Sequence, residues 1–351
     1  MTGTNISIVV PTLGRPSLGV LLDGLVAQVV PDLEVLLVDD RRGAGAPLTV
    51  PAGLSGYTKV LRGSGTGPAA ARNLGWQAAR HPWVVFLDDD VVPAPGWLRQ
   101  LRSDVDVPAD VGGVQGAVRV PLPADRPPTD WERTTAGLAD AQWITADMAY
   151  RRVALVAVGG FDERFPRAYR EDADLAARVR RAGWRLVRGD RRVAHPVRTE
   201  GPWASVRAQR GNADDALLRR LYGRGWRTEL GVPPGRRAWH AAVTAAGALA
   251  LAAVVGSRRR IAVLAGAAWL AATAEFARAR ITPGPRTPAE VARMATTSVL
   301  IPPLAVTYWL VGWWRARGAP PWPQLTSASL TSTSTADTAD TADEEDACES
   351  R

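Results

Sequence analysis

The stretch that most limits how this chain can fold is Val84-Val85-Phe86-Leu87-Asp88-Asp89-Asp90, an apolar run that passes directly into three carboxylates. A short apolar run of this kind reads as a buried strand. The carboxylates then sit where the strand leaves the sheet, and in open α/β sheets that carboxyl edge is where ligands bind. Side chains alternate along an extended chain, so Asp88 and Asp90 can face one way and Asp89 the other. Two converging carboxylates repel unless a cation lies between them. An oxygen-only pair suits Mg2+ or Mn2+, and Mg2+ is commonly held by one or two carboxylates together with substrate phosphates. Taken alone, the run also reads as an acidic turn capping the helix after Pro93, so its meaning depends on its neighbours.

Those neighbours repeat the pattern. Ile6 to Val10 is a β-branched run closed by Pro11, a first strand. Leu18, Leu21, Leu22, Leu25, Val26 and Val29 recur at helical spacing, and Leu33 to Val38 is a second strand that also ends in acids, Asp39-Asp40. Strand, helix and strand in this order predict a right-handed βαβ unit and a parallel sheet. Tyr57 to Leu61 is a shorter third strand. The Gly63 to Pro68 turn is not a P-loop, since no Gly-Lys-Ser/Thr follows it. The helix expected over Ala69–Arg80 starts with Arg72-Asn73 near the same sheet edge. Trp97 to Arg102 reads as helix, Val111 to Val120 as strand, and 121–130 as a proline-rich mobile loop over a site. Glu171-Asp172-Ala173-Asp174 opens a helix that Gly183 stops. Trp184 to Val187 is the last strand, with His195-Pro196 in the loop beyond.

Taken together, the chain resembles a family-2 glycosyltransferase with the GT-A nucleotide-sugar fold. The resemblance rests on Val9-Val10-Pro11-Thr12, Val38-Asp39-Asp40, Ala71-Arg72-Asn73-Leu74-Gly75, Leu87-Asp88-Asp89-Asp90, Gly159-Gly160-Phe161-Asp162-Glu163 and Glu171-Asp172-Ala173-Asp174-Leu175, and covers roughly residues 5 to 200. It implies a mostly parallel α/β sheet flanked by helices and a nucleotide-sugar donor. Pro11 and Arg15 would border the nucleotide, Asp39 would accept hydrogen bonds from the base, and Arg72, Asp88 and Asp89 would complete the donor side. Asp90, with Asp88 and a late histidine matched by His195, would hold Mg2+ or Mn2+. Asp172, in the Glu171-Asp172 pair, would be the general base for the acceptor hydroxyl, and base and metal on opposite sides of the sugar imply inversion. No Gln-x-x-Arg-Trp motif of processive synthases occurs, so one sugar per acceptor is expected.

Composition divides the chain. The formal charge is +8, and because the segment from Asp337 holds seven acids and one arginine, the body carries +14. A basic body suits phosphorylated substrates or anionic lipid. No helix-turn-helix, zinc-finger or stacking motif supports nucleic acid as a partner. Cys348 is the sole cysteine, which excludes a disulfide framework. Residues 1–202 form the expected GT-A domain and 203–235 a basic amphipathic linker region. Residues 236–318 form membrane-associated hydrophobic helices, and 319–351 a disordered, low-complexity acidic tail. The apolar stretches are Trp239–Gly256, a short Ile261–Ala274, and Met294–Trp314. If the first crosses, Arg258-Arg259-Arg260 land outside, against the positive-inside tendency, whereas a hairpin lying in the cytoplasmic interface removes that conflict, and the number of spans stays open. A chain without a charged leader before its first strand is expected to keep its catalytic face in the cytoplasm, at the cell membrane, with a lipid-linked or cell-envelope glycan acceptor. Two rivals stand beside this reading. A nucleotidyltransferase would need a basic, glycine-rich loop after the first strand, and a non-catalytic sugar- or nucleotide-binding scaffold would not need Glu171-Asp172.

Overall fold

Strand β1 (Ile6–Thr12) pairs in parallel with β2 (Leu33–Asp39), which pairs in parallel with β3 (Thr58–Arg62). On its other side β1 pairs in parallel with β4 (Trp83–Leu87). β1, β2 and β4 are mostly apolar and buried because both their faces are covered, as parallel strands require, whereas β3 at the sheet edge is largely exposed. The computed structural model describes residues 5–29, 33–43 and 45–322. Beyond β4 the sheet turns mixed. The sequence also forms β5 (Val92–Pro93), β6 (Val111–Arg119), β7 (Asp147–Arg151) and β8 (Arg185–Ala194), giving the order β3-β2-β1-β4-β7-β6-β8-β5. β7 runs antiparallel to β4 and β6, whereas β8 is parallel to β6 and antiparallel to β5. The expected parallel sheet is therefore its first half.

Alternation along β4 splits the core in two. Val85 and Leu87 join Leu21, Leu22 and Leu25 of α1 (Ser17–Val26), Leu54 of α2 (Ala52–Ser55) and Leu98 and Leu101 of α4 (Trp97–Asp104). Val84 and Phe86 join the opposite face, with Ala69 and Trp76 of α3 (Pro68–Ala78), Leu155 of α6 (Arg152–Val158) and Leu175 and Val179 of α7 (Glu171–Arg181). Between β6 and β7 lies α5 (Asp130–Ala136), opened by a reciprocal capping box between Thr129 and Glu132. The proline-rich segment before it is thus anchored at its end, where mobility was expected.

The segment after β8 departs further from expectation. Helices α8 (Ala204–Arg207), α9 (Asn212–Tyr222) and α10 (Trp226–Glu229) do not form a free basic surface. Leu217, Leu218, Leu221 and Trp226 are buried against Phe165 and Ala177. Asp214 binds Arg167 and Asp215 binds Arg170 and Arg227. The interleaved acids, with this apolar packing, make the region part of the α/β unit.

Three helices are long and apolar enough to cross a membrane: α11 (Arg237–Val255), α12 (Arg259–Ile281) and α13 (Pro288–Arg315). The second stretch, expected to be short, is a helix of 23 residues because alanines and arginines extend it at both ends. α11 and α12 form a hairpin, with Gly247 packed closely on Trp269. α13 differs from the hairpin in that both of its ends meet the α/β unit. Glu290 accepts from the Asp130 amide at 3.2 Å, and a Cβ on Gly312 would meet Ala213 of α9 at 2.4 Å. Ala319 to Trp322 continue this packing: the Trp322 amide donates to the Leu221 carbonyl at 3.0 Å, and Trp322 Nε1 to Asp174 Oδ1 at 3.0 Å. The rest of the expected tail, from 323, and Cys348 lie outside the described residues.

Candidate active site

The ends of β1, β2 and β4 open onto a cavity of about 540 Å3. Pro11, Arg15, Arg72, Asp88 and Asp89 line it, as the sequence suggested, together with Asp40, Arg42, Gly65 to Gly67, Pro166 and Arg198, which it did not. The acidic run divides its labour in the turn that follows β4. Asp89 ties the β1 end to the β4 end, accepting from Thr12 Oγ1 at 2.8 Å and from the Leu13 amide and Arg15 at 3.4 Å. Asp88 and Asp90, with His195, offer ligand atoms that all lie within 4.8 Å of one another. The two carboxylates suit Mg2+ or Mn2+, and the imidazole, a transition-metal donor, makes the set a better fit to Mn2+ than to Mg2+. The fit has independent support in Asp90. Its side chain is buried and Oδ1 has no hydrogen-bond partner, with His195 Nε2 3.5 Å away, while Arg198 Nε stands 2.5 Å from Oδ2. Burial raises its pKa, against the charges of His195 and Arg198.

Asp39, expected to face the base, does not line the cavity. Both Asp39 oxygens are engaged by Arg41 and Arg62, with contacts of 2.7 to 2.8 Å, and the Arg41 hydrogen bonds hold its pKa down to about 2. Asp40 lines the cavity instead, braced by the Gly65 and Gly67 amides at 2.8 and 3.0 Å. The glycine turn can come this close because Gly65 and Gly67 hold positive φ, which non-glycine residues rarely adopt.

On the far wall, Arg72 is 2 % exposed and bridges two acids, donating to Glu171 Oε1 at 2.7 Å and Asp88 Oδ1 at 2.8 Å. Burial works against its charge, but the two carboxylates outweigh it and raise its pKa. Glu171 is buried. Burial first, then the Asp172 charge, push it up to about 8 against the pull of Arg72. Asp172, beside it in the first turn of α7, is half-buried, and burial raises its pKa too. Arg170, immediately before the pair, takes a left-handed φ of 78° and is held there by Asp215. Asn73 plays a scaffolding part. Its side chain donates to the Phe161 carbonyl and Glu163 and accepts from the Phe161 amide, fixing the loop that leads to α7.

Residues 7–145 match the family described as "Glycosyl transferase family 2". That segment is a family-2 glycosyltransferase domain by this match. The mixed sheet, with the acidic run at the carboxyl edge, is the GT-A architecture the motifs implied. The glycosyltransferase domain is similar to the pre-mycofactocin glycosyltransferases of two Mycobacterium tuberculosis strains, CDC 1551 / Oshkosh and H37Rv. Identity is 30% over 185 residues, covering 48% of this chain and 38% of each relative. The chain thus spans less than two fifths of the length of the curated relatives it matches. Among solved structures, the mannosyltransferase PcManGT from Pyrobaculum calidifontis, in complex with GDP-Man and Mn2+, is 19% identical. It covers 90% of this chain and 87% of its own, with a TM-score of 0.48. S. aureus TarS 1–349 in complex with UDP-GlcNAc is 16% identical, covering 90% and 92%, with a TM-score of 0.44. Neither likeness is close enough to place a ligand in this chain.

Proposed function

We propose that this protein transfers a single sugar, with inversion, from a nucleotide-sugar donor to a lipid-linked or cell-envelope acceptor at the membrane surface. The observation that carries the reading is the Arg72 bridge. One buried guanidinium joins Asp88, on the cavity wall, to Glu171, the neighbour of Asp172, so the donor side and the acidic pair form one network. A scaffold that only bound nucleotide would have no use for this coupling. The nucleoside lies between Pro11 to Leu13 and the Asp40–Arg42 side, with Asp40 in the base-recognition role first assigned to Asp39. The diphosphate lies by Asp88, within reach of Arg15, Arg72 and Arg198. Asp88, Asp90 and His195 would hold a divalent ion, which when bound offsets the charge gathering on the leaving diphosphate.

Asp172 accepts the acceptor hydroxyl proton as the oxygen attacks the anomeric carbon, a role typically worth about 10²–10⁴-fold. Glu171 acts on the site through Arg72 and is a positioning residue. The lipid-linked acceptor is supported by what borders the cavity. Trp131 Nε1 donates to the Arg198 carbonyl at 3.2 Å, and the adjacent Asp130 pairs with Arg280 of α12 at 2.7 Å. One wall of the site is thus two contacts from the apolar helices.

The test is nucleotide release from UDP-, GDP- and dTDP-sugars with membrane extract as acceptor, with Mn2+ or EDTA. We expect metal-dependent turnover of one donor. Asp172→Asn should lower kcat by about 10²-fold or more with donor binding intact. Turnover that survives both EDTA and Asp172→Asn would overturn the assignment.

A further inference from the structure

We propose that Arg198 is an exchangeable counter-ion of the Asp88/Asp90/His195 cluster, neutralising Asp90 in the metal-free protein and moving to the donor diphosphate when a divalent ion takes its place. This rests on the metal-dependent reading above and adds to it a role for a residue that no sequence motif marked.

A buried carboxylate needs a cation nearby. Arg198 supplies one. Its Nε lies 2.5 Å from Asp90 Oδ2. The contact to Asp89 is looser, Nη2 at 3.4 Å from Oδ1, and Asp89 keeps Thr12 and Arg15 without it. Asp90 therefore depends on this guanidinium and Asp89 does not.

The guanidinium and a metal ion exclude one another. An ion ligated by Asp90 would stand a few ångströms from a second positive charge on the same carboxylate, and that repulsion lowers metal affinity. The chain leaves Arg198 free to move. Its side chain is 40% exposed and lines the cavity, while its carbonyl is fixed by Trp131 and its backbone lies three residues beyond His195. A released side chain would find the negative charge that arrives with the metal, the diphosphate, within the same cavity. The exchange puts a divalent charge in place of a single one beside Asp90, and the displaced guanidinium becomes a partner for the negative charge of the donor's phosphates.

The test is Mn2+ binding, read by electron paramagnetic resonance on the full chain in detergent, for wild type, Arg198→Gln and Arg198→Lys. In nucleotide-free protein, Arg198→Gln should bind Mn2+ about tenfold more tightly than wild type, with Arg198→Lys close to wild type. With saturating Mn2+, the same Gln variant should bind the UDP or GDP product more weakly. Unchanged or weaker Mn2+ binding by Arg198→Gln, in a protein whose wild type binds the ion, overturns this inference and leaves the metal site standing. If neither protein binds Mn2+, even with UDP or GDP, the metal-dependent reading falls and takes this one with it.

Discussion

A fully buried guanidinium must find carboxylates, and Arg72 finds one on each side of the chemistry. The consequence for Glu171 is a measurable pH dependence. Burial and the Asp172 charge lift its pKa from 4.5 to about 8, so the folded protein keeps a proton that the unfolded chain releases. Between these values the native state binds more protons than the unfolded state. Stability from this group is therefore full below about pH 4.5 and declines as pH rises toward 8, by at most about 1.4 kcal/mol per pH unit. Thermal unfolding across pH 4.5 to 8, followed by tryptophan fluorescence, should show a shallower decline for Glu171→Gln than for wild type; parallel profiles would mean another group carries the proton. At this scale the acidic run was legible in sequence as the end of an apolar strand, and Asp88 and Asp90 do converge, although in a turn rather than by the alternation of an extended chain. The choice between Asp39 and Asp40 was not. It depends on Arg41 and Arg62 reaching back to the strand end, a three-dimensional coincidence without a motif. Arg198 was equally silent, one arginine among many in the sequence.

The helix that carries Arg72 holds its position through a missing side chain. A Cβ on Gly75 of α3 would meet Val9 Cγ1 of β1 at 2.3 Å, so α3 lies as close to the sheet as backbone allows. Gly75→Ala must push α3 outward, at an overpacking cost of about 1–3 kcal/mol, and withdraw Arg72 from Asp88 and Glu171. We expect a lowered Tm together with weaker binding of the nucleotide product. A lowered Tm with unchanged binding would show that Arg72 is placed by its ion pairs and not by helix packing. Elements of this kind were readable because their strands are continuous apolar runs and their helices keep a 3.6-residue period. What escaped was short or depended on partners. β5 has two residues and no period, α5 is recognisable only through Thr129 and Glu132, and α9 needed its acids matched to distant Arg167 and Arg170.

At the scale of the molecule, the apolar helices divide between a protruding hairpin and a supporting beam. α11 spans 19 residues, which at 1.5 Å per residue is about 28 Å and close to the roughly 30 Å of a hydrocarbon core. Leu251, Val255 and Leu264, toward the hairpin tip, are 71%, 87% and 72% exposed, as lipid-facing residues would be. α13, clamped at both ends to the catalytic unit and bound mid-length by Arg280 through Thr297 and Ser298, lies across the hairpin's base. Exposed Leu310, Trp313 and Trp314 near its C-terminal end suit the headgroup region, where tryptophan concentrates. This arrangement removes the conflict over Arg258-Arg259-Arg260. The positive-inside tendency is comparative, and Arg236, Arg237, Arg278, Arg280, Arg286 and Arg293 at the base outnumber the three arginines at the tip. We therefore expect a crossing hairpin whose base and catalytic unit share the cytoplasmic side. In a Cys348→Ser background, an impermeant maleimide should label Ser257→Cys, at the exposed tip, on intact cells, and should label Ser55→Cys, exposed on the catalytic unit, only after permeabilisation. Protection of both positions until permeabilisation would place the hairpin in the cytoplasmic leaflet without crossing, and labelling of Ser55→Cys on intact cells would put the active site outside.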